Sequence, residues 1–346
     1  MPTFRTAEVL EILVSRPGLQ RARVRVVGRD RATPDERAYV LTDQVGEVAV
    51  GDHVICNTTA VELGLGTGGW HIVHWNLSRA SFEQPGPGHV MKLRYTSAQF
   101  DAGTAELEHP DVPSSIEGVP VVVCSVHSQV GIVAAVIRSL RPETRLSVVM
   151  TDGAALPLVI SDLIEDLRNL GVIDATVTAG HAFGGDLEAV TVASALALAV
   201  HVQLADIVIV GMGPGVVGTG TELGTTAIEV ASILDLVDAL GGVPIMCVRR
   251  SDADERERHR GVSHHSLTAA RLTHCRPWVA ATTRGEPELD RCRVHVVPNP
   301  TPDVAAVLEA LGIRITTMGR GPADDPEFFA AAAAAANVAV DKVGTS

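Results

Sequence analysis

The sequence predicts an α/β protein in which a small N-terminal β-barrel precedes a doubly wound, mainly parallel sheet of the Rossmann-like type. Residues 1–82 alternate polar and apolar side chains in the strand period. From residue 120, short continuous apolar runs alternate with helical patterns, as expected when both faces of each strand are buried. The 346 residues also suffice for two domains. We therefore predict a barrel (1–82), a crossover (83–119) and an α/β domain (120–346).

In the barrel region, arginines at positions 21, 23 and 25 interleave with apolar residues, and residues 47–54 repeat the alternation. Four glycines between positions 64 and 69 and the segment QPGPGH (84–89) then break regular structure. Residues 1–57 contain eight arginines and eight acidic residues, so no basic face indicates an RNA-binding barrel.

In the α/β region we predict five strands, each ending in a polar loop, over residues 121–124, 146–150, 175–178, 206–210 and 243–248. Helices are predicted over residues 131–140, 158–170, 225–240 and from residue 187 to about 204, and two further strands over 278–281 and 294–297. A last helix should begin with Asp325 as N-cap and Pro326 at its first position, and it continues into seven alanines (330–336). We expect this helix to serve packing or the formation of a homo-oligomer.

Composition excludes several classes of function. The 28 basic and 41 acidic residues give a net charge of −13, which opposes binding to nucleic acid. Only two residues are lysines, and neither follows a glycine loop in the way that a Walker A motif requires. The five cysteines form no CxxC pair, and the chain has neither a signal-peptide pattern nor an apolar run of membrane-spanning length. We therefore expect a cytoplasmic protein with no nucleic-acid or membrane partner.

Polar residues follow each of the first five predicted strands of the α/β region, where ligands of open parallel sheets bind. Each of them could simply cap a helix or turn the chain. Together they predict one shared site for a small anionic ligand, formed by Ser125, His127 and Ser128, by Thr151 and Asp152, by His181, Asp186 and Glu188, by residues 211–220, and by Arg249 and Arg250.

The strongest single motif is GMGPGVVGTGTELG (211–224), whose first part we call the glycine loop (residues 211–220). Glycines allow a ligand to approach the main chain, and hydroxyls and amides at a helix N-terminus bind phosphate or carboxylate. The loop follows the fourth predicted strand, and no acidic residue ends a strand about 20 residues later, which weakens a dinucleotide assignment. A purely structural turn is the alternative. The candidate ligand-binding residues are Gly213, Gly215, Gly218, Thr219, Gly220, Thr221, Arg249 and Arg250.

A second stretch, RRSDADERERHRGVSHHS (249–266), combines arginines with paired histidines. Arginine forks bind phosphate or carboxylate in a bidentate way, although a solvated face of mixed charge has the same composition. On a helix, His264 and His265 would point about 100° apart and would not share a metal ion from that helix alone. In an extended loop, either could join His259, His181 or Asp152 in a divalent metal site or transfer a proton.

Asp186 and Glu188 follow a glycine pair and could bind a metal, act as a base or favour the dipole of a following helix. No GxSxG motif is present, so covalent acyl chemistry is not supported. The candidate catalytic residues are His127, Asp152, His181, Asp186, His264 and His265.

Five segments taken together resemble an uncharacterised bacterial family that carries a domain of unknown function: GHVMKLRYTSAQ (88–99), TDGAALPLVISDLI (151–164), AGHAFGGDLEAV (179–190), GMGPGVVGTGTELG (211–224) and RHRGVSHHSLTA (258–269). The resemblance spans nearly the whole chain and implies a bacterial cytosolic protein, but no activity. The residues themselves lead us to expect a transferase or hydrolase acting on a small phosphorylated or carboxylated ligand. Alternatives are a non-catalytic metabolite-binding sensor or scaffold, and an NADP-linked oxidoreductase.

Overall fold

A computed structural model of the protein describes residues 1–30, 34–281, 289, 292–296 and 302–344. The chain divides into two units, Met1–Gly103 and Thr104–Ser346. The boundary falls inside the predicted crossover, whose residues form a short hairpin in the first unit and a one-turn helix in the second.

The first unit contains a closed five-stranded barrel with the strand order β1-β2-β3-β5-β4, which confirms the predicted N-terminal barrel. Its alternating apolar side chains fill the interior. The elements of this unit are β1 (Phe4–Arg16), β2 (Leu19–Val26), β3 (Glu36–Leu41), α1 (Thr42–Val45), β4 (His53–Asn57), α2 (Thr59–Glu62), β5 (Trp70–Asn76), β6 (Val90–Lys92) and β7 (Phe100–Ala102).

One predicted barrel segment is wrong. Residues 47–49 are irregular, residues 50 and 51 form a turn, and the strand begins only at His53. The backbone N–H of Ala49 donates to Asp52 Oδ2 (2.9 Å), and Gly51 adopts a φ of 90°. The local hydrogen bond and the left-handed glycine therefore override the alternation in the sequence.

The second unit contains an eight-stranded sheet in which every pair of neighbours is parallel, in the order β11-β10-β9-β12-β8-β13-β16-β17. Its elements are α3 (Ala105–Glu108), β8 (Pro120–Cys124), α4 (His127–Leu140), β9 (Leu146–Thr151), α5 (Asp162–Asn169), β10 (Ala175–Ala179), β11 (Leu187–Ala189), α6 (Val192–His201), β12 (Ile207–Met212), α7 (Glu229–Ala239), β13 (Val243–Cys247), β14 (Arg250–Ser251), β15 (Gly261–Val262), α8 (His264–Leu272), β16 (Trp278–Ala281), β17 (Arg293–Val296), α9 (Val304–Leu311) and α10 (Pro326–Lys342).

Helices cover both faces of this sheet, as predicted for a doubly wound α/β domain. Side chains of α4, α5, α9 and α10 form the core on one face, and those of α6, α7 and α8 form the core on the other. Strand β12 inserts between β9 and β8, so the neighbours of β8 are β12 and β13. The helix that follows β8 is α4, and it packs on one face of the sheet. The helices that follow β12 and β13 are α7 and α8, and they pack on the other face. In such sheets a crevice opens outside the carboxyl ends of the strands where the winding direction changes.

Two predicted elements differ from the structure. The long helix predicted to follow residue 186 is a three-residue edge strand, β11, and then α6, which Thr191 caps by accepting from the N–H of Ser194 (3.2 Å). The predicted strand 294–297 is Arg293–Val296, and Val297 lies outside the described residues.

The C-terminal helix begins at Pro326, as predicted, with Asp325 before it. The helix packs against α4, and alanines 332–336 are buried in the core on that face. None of the helices in the described part of the chain has the length and apolar character needed to cross a lipid bilayer.

Candidate functional site

A cleft of about 530 Å³ lies at the carboxyl ends of β8, β12 and β13. Its walls come from residues 126–128 after β8, from residues 214–220 of the glycine loop after β12, and from Arg249 after β13. Further walls come from residues between 256 and 265, which precede and begin α8, from residues 314–318, between α9 and α10, and from Leu163 of α5. The structure thus brings together three of the five strand-end segments that the sequence singled out.

A buried glutamine holds two of these strand ends together. Gln129, in the first turn of α4, accepts hydrogen bonds at Oε1 from the N–H groups of Ser125 (3.0 Å) and Val126 (3.2 Å). Its Nε2 donates to the carbonyl oxygen of Val248 (3.1 Å), beyond the end of β13. Because Gln129 is fully buried, these bonds fix the two loops at the floor of the cleft.

His127 lines the cleft, but both of its ring nitrogens have partners. Nδ1 lies 2.9 Å from the carbonyl oxygen of Met212, and Nε2 lies 2.7 Å from Ser161 Oγ. Burial lowers the pKa of His127, and the Met212 hydrogen bond opposes this only in part. A neutral His127 therefore links the ends of β8 and β12, which is a positioning role and not that of a free base.

The glycine loop contributes backbone to the cleft through Gly215, Gly218 and Gly220, with φ values of 111° at Gly215 and 82° at Gly220. The hydroxyls of Thr219 and Thr221 bond to each other (2.9 Å), and neither residue lines the cleft. They stabilise the loop itself and do not face a ligand. Residues 221–228 separate the loop from α7, so the loop does not end at the N-terminus of that helix.

Gly213 is required for a different reason, which is its close approach to another loop. A Cβ at this position would lie 2.4 Å from the carbonyl oxygen of Ala155, in the loop after β9. We expect Gly213→Ala to lower the free energy of unfolding by about 1–3 kcal/mol, because backbone must move to relieve the contact. Thermal unfolding measures this effect. Gly66→Ala is the control, since a Cβ there meets nothing within 4 Å; equal stability of the two variants would contradict the prediction.

Arginines dominate the charge of the cleft. Arg249 is only 6% exposed, and its Nη2 lies 2.9 Å from Asp254 Oδ2; Arg256 pairs with the same carboxylate. Burial acts to raise the pKa of Asp254, but the hydrogen bonds and charge of Arg256 and the charge of Arg249 outweigh it and lower that pKa. Within the described residues, Arg258 and Arg314 line the cleft with no ion pair.

Three histidines form a compact group, the histidine cluster, beside this cleft. The ring centroids of His264 and His265 lie 4.1 Å apart. The ring centroid of His259 lies 5.1 Å from that of His264 and 4.9 Å from that of His265. Burial, followed by the charge of Arg249, lowers the pKa of His259 to about 3, and burial together with His264 lowers that of His265 to about 4. Burial also lowers the pKa of His264. All three rings are therefore neutral at pH 7.

The expectation that His264 and His265 point apart is wrong. They are the first two residues of α8, and side chains of a helix tilt toward its N-terminus. At that end the two rings lie beside each other and beside His259, which comes from the turn that precedes α8.

A carboxylate that the sequence analysis missed lies one strand away from the cleft, at the end of β9, the neighbour of β12. Glu229 begins α7, and the hydroxyl of Thr151 donates to its Oε1 (2.6 Å). Burial, and to a lesser extent the charge of Asp152, raises the pKa of Glu229 to about 7. Its only sequence signal was its place near the start of the helix predicted over residues 225–240, after the glycine loop. A carboxyl group that titrates near neutrality is suited to proton transfer.

The remaining predicted residues lie elsewhere. Asp152 and His181 meet at the carboxyl ends of β9 and β10, where the His181 N–H donates to Asp152 Oδ2 (3.1 Å), but neither lines the cleft. Arg250 lies in β14 and pairs with Glu327 of α10 (2.9 Å).

The expectation that Asp186 lies at the carboxyl edge is wrong. Asp186 precedes β11, accepts from the N–H of Thr176 (2.8 Å) and pairs with Arg168, at the amino edge of the sheet. Glu188 lies within β11 and accepts from the Thr178 hydroxyl (2.7 Å), so it is not placed at a helix start.

The fold and the cleft define a class: an α/β protein with an N-terminal barrel and an arginine-rich site where the winding of its parallel sheet changes direction. The chain belongs to the family described as protein of unknown function (DUF3866), whose model matches residues 37–336. This match confirms the resemblance to a family with a domain of unknown function. Neither the curated proteins nor the solved structures include a significant match to the chain.

Proposed function

We propose that the protein is an enzyme of the transferase or hydrolase type that acts on a small phosphorylated or carboxylated ligand held in the cleft. One observation carries this proposal. Four arginines, at positions 249, 256, 258 and 314, line the cleft, and no Asp or Glu is among the described residues that line it. In a chain with a net charge of −13, such a region concentrates anions against the field of the whole molecule.

The geometry suits a compact ligand. A volume of about 530 Å³ lies in the range of small-molecule sites. Arg258 and Arg314 approach from different segments, and backbone of the glycine loop lies beside Arg258, whose Cζ is 3.7 Å from the position of a Cβ on Gly220. Guanidinium groups bind phosphate and carboxylate through paired N–H donors and stabilise charge that develops during transfer. The rings of His259 and His265 also line the cleft, so a ligand held by the arginines lies beside them.

An NADP-linked reaction has less support from the site. The helix after a dinucleotide-binding glycine loop receives the pyrophosphate at its N-terminus. Here residues 221–228 separate the loop from α7, and the carboxyl group of Glu229 occupies the first turn of that helix. A small anion held by side-chain guanidinium groups needs no such helix end.

Inorganic phosphate is the direct probe of this proposal, with binding measured calorimetrically on chelator-treated protein. We expect Arg258→Ala and Arg314→Ala each to weaken binding by about tenfold or more, because each removes a charged hydrogen-bond donor. Arg141→Ala, at the exposed C-terminal end of α4, is the control and should bind as the parent does. Phosphate affinity unchanged in both cleft variants would contradict the proposal.

Turnover separates an enzyme from a binding protein. We expect hydrolysis of a phosphomonoester such as p-nitrophenyl phosphate, or transfer from it to an added alcohol, and we expect both to decrease in the two cleft variants. Phosphate binding without any such turnover would favour the sensor or scaffold alternative over an enzyme.

A further inference from the structure

The histidine cluster has the composition and geometry of a metal site. His259 and His265 are 1% and 7% exposed, and His264 is half-buried. One ring nitrogen from each residue can be chosen so that all three lie within 4.8 Å of one another. Zinc ligands at about 2.0–2.1 Å from a tetrahedral ion lie roughly 3.3–3.4 Å apart. The observed separation exceeds that spacing by at most about 1.5 Å.

Two ring nitrogens of the histidine cluster have no hydrogen-bond partner among the described residues. Nε2 of His264 and Nε2 of His265 are both buried, and neither has a hydrogen-bond partner within the described chain. A buried polar atom left in this way is destabilising and calls for an explanation, and a bound ion is one that satisfies both nitrogens at once. A neutral imidazole offers one lone pair, and a metal ion is the partner that accepts three of them at once.

The third ring is already oriented by a neighbour. His259 Nδ1 lies 2.7 Å from Ser263 Oγ, and Ser263 is itself fixed as the N-cap residue of α8, where it is fully buried. When Nδ1 donates its proton to Ser263, the lone pair of His259 is on Nε2. A hydrogen bond from the outer nitrogen of a ligating histidine is the usual way in which proteins fix the tautomer and the ring plane.

The surrounding arginines do not exclude a cation. Asp254 pairs with both Arg249 and Arg256 and thereby offsets part of their charge. The cleft adjoins the histidine cluster, because two members of the cluster, His259 and His265, also line the cleft. A ligand from the cleft can therefore complete the coordination of the ion, and an anion there would offset the remaining positive charge.

We propose that His259, His264 and His265 bind a divalent transition-metal ion of the zinc class, with a further coordination position open to the cleft. Imidazole ligands favour zinc and its neighbours in the first transition series over magnesium or calcium. Three protein ligands with an open position are the arrangement of catalytic zinc sites, in which the ion activates a water or polarises a bound oxygen. This site is inferred from the histidines alone and does not depend on the identity of the cleft ligand.

Cobalt(II) is the probe, because its visible d–d absorption reports both binding and coordination number. The full chain, purified without a histidine tag and freed of metal by a chelator, is titrated with Co²⁺ and then with Zn²⁺. We expect one equivalent of Co²⁺ to bind with the strong bands of a four- or five-coordinate ion, and Zn²⁺ to displace it. His265→Ala and His264→Asn should each weaken binding by about 10- to 100-fold or more.

His274→Ala is the matched control, since His274 is exposed in the same unit and lies outside the cluster. Circular dichroism and the melting temperature verify that each variant is folded. If the buried His265→Ala variant fails to fold, the half-buried His264→Asn variant decides the question. Folded parent protein that takes up no Co²⁺, or a His264→Asn variant that binds it as tightly as the parent, would overturn the metal site. Phosphate binding is measured on metal-free protein, so a failure of the metal site would not contradict the proposed function, which is tested separately.

Discussion

Asp254→Asn is expected to lower the free energy of unfolding of the α/β unit by about 3–5 kcal/mol, since it removes one partner of a buried charge pair. Asp254 and Arg249 are both almost fully buried, and Arg256 and Arg320 lie within ion-pair distance of the same carboxylate. Both oxygens of Asp254 accept from arginine N–H groups, and an asparagine amide carries no charge and replaces one of these acceptors with an NH2 group that donates. Arg249 would then remain buried with its charge uncompensated.

Denaturant unfolding monitored by circular dichroism measures this loss. Asp252→Asn is the control, because Asp252 is exposed two residues away and the same change of charge there should alter the stability by less than about 0.5 kcal/mol. We also expect Asp254→Asn to weaken phosphate binding, since Asp254 positions Arg249 and Arg256 at the cleft. Similar stability of the two variants would show that the buried network contributes little.

Glu229→Gln is expected to remove a pH-dependent loss of stability. The pKa of Glu229 is raised from its ordinary value of 4.5 to about 7, so the folded protein holds this proton more tightly than the unfolded chain does. The stabilising effect of the neutral form is fully present below pH 4.5 and is lost as the pH rises through about 7. The loss reaches at most about 3.5 kcal/mol, since the shift is about 2.5 pKa units and each unit corresponds to about 1.4 kcal/mol.

A glutamine keeps an oxygen that can accept the hydrogen bond from Thr151, but it does not ionise. Melting temperatures from about pH 5 to about pH 8 should therefore fall less in Glu229→Gln than in the parent, and the variant should be the more stable protein at the upper end. Glu309→Gln, on the exposed side of α9, supplies the control with the same change of residue type. Parallel pH profiles for the parent and Glu229→Gln would mean that Glu229 is ionised throughout this range.

Most of the cleft can be located from the amino-acid sequence, because the segments that form it carry local signals. A glycine loop after a buried apolar run and arginines after the next such run are visible in the linear order, and strand ends of a parallel sheet share one edge. Arg314 has no such signal. It lies in an irregular segment between α9 and α10, and only the packing of those two helices brings it to the cleft.

Asp186 shows the opposite case, in which a local pattern misleads. An aspartate after two glycines is typical both of a loop at the end of a strand and of a loop that leads into one. The three-residue strand β11 decides between these, because its parallel register with β10 places Asp186 beside Thr176 at the amino edge. So short a strand carries no periodicity of its own.

Local sequence patterns are enough to specify the barrel, the alternation of strands and helices and the loops in which polar residues gather, since these follow from side-chain period, apolar runs and turn residues along a few neighbouring positions. Which of those loops meet is a property of the folded chain. The insertion of β12 between β9 and β8 places the glycine loop beside the end of β8, and it leaves Asp152 one strand and His181 two strands away from β12. The packing around the start of α8 gathers three histidines there. Strand order and helix docking depend on long-range pairing and burial, which local patterns do not encode.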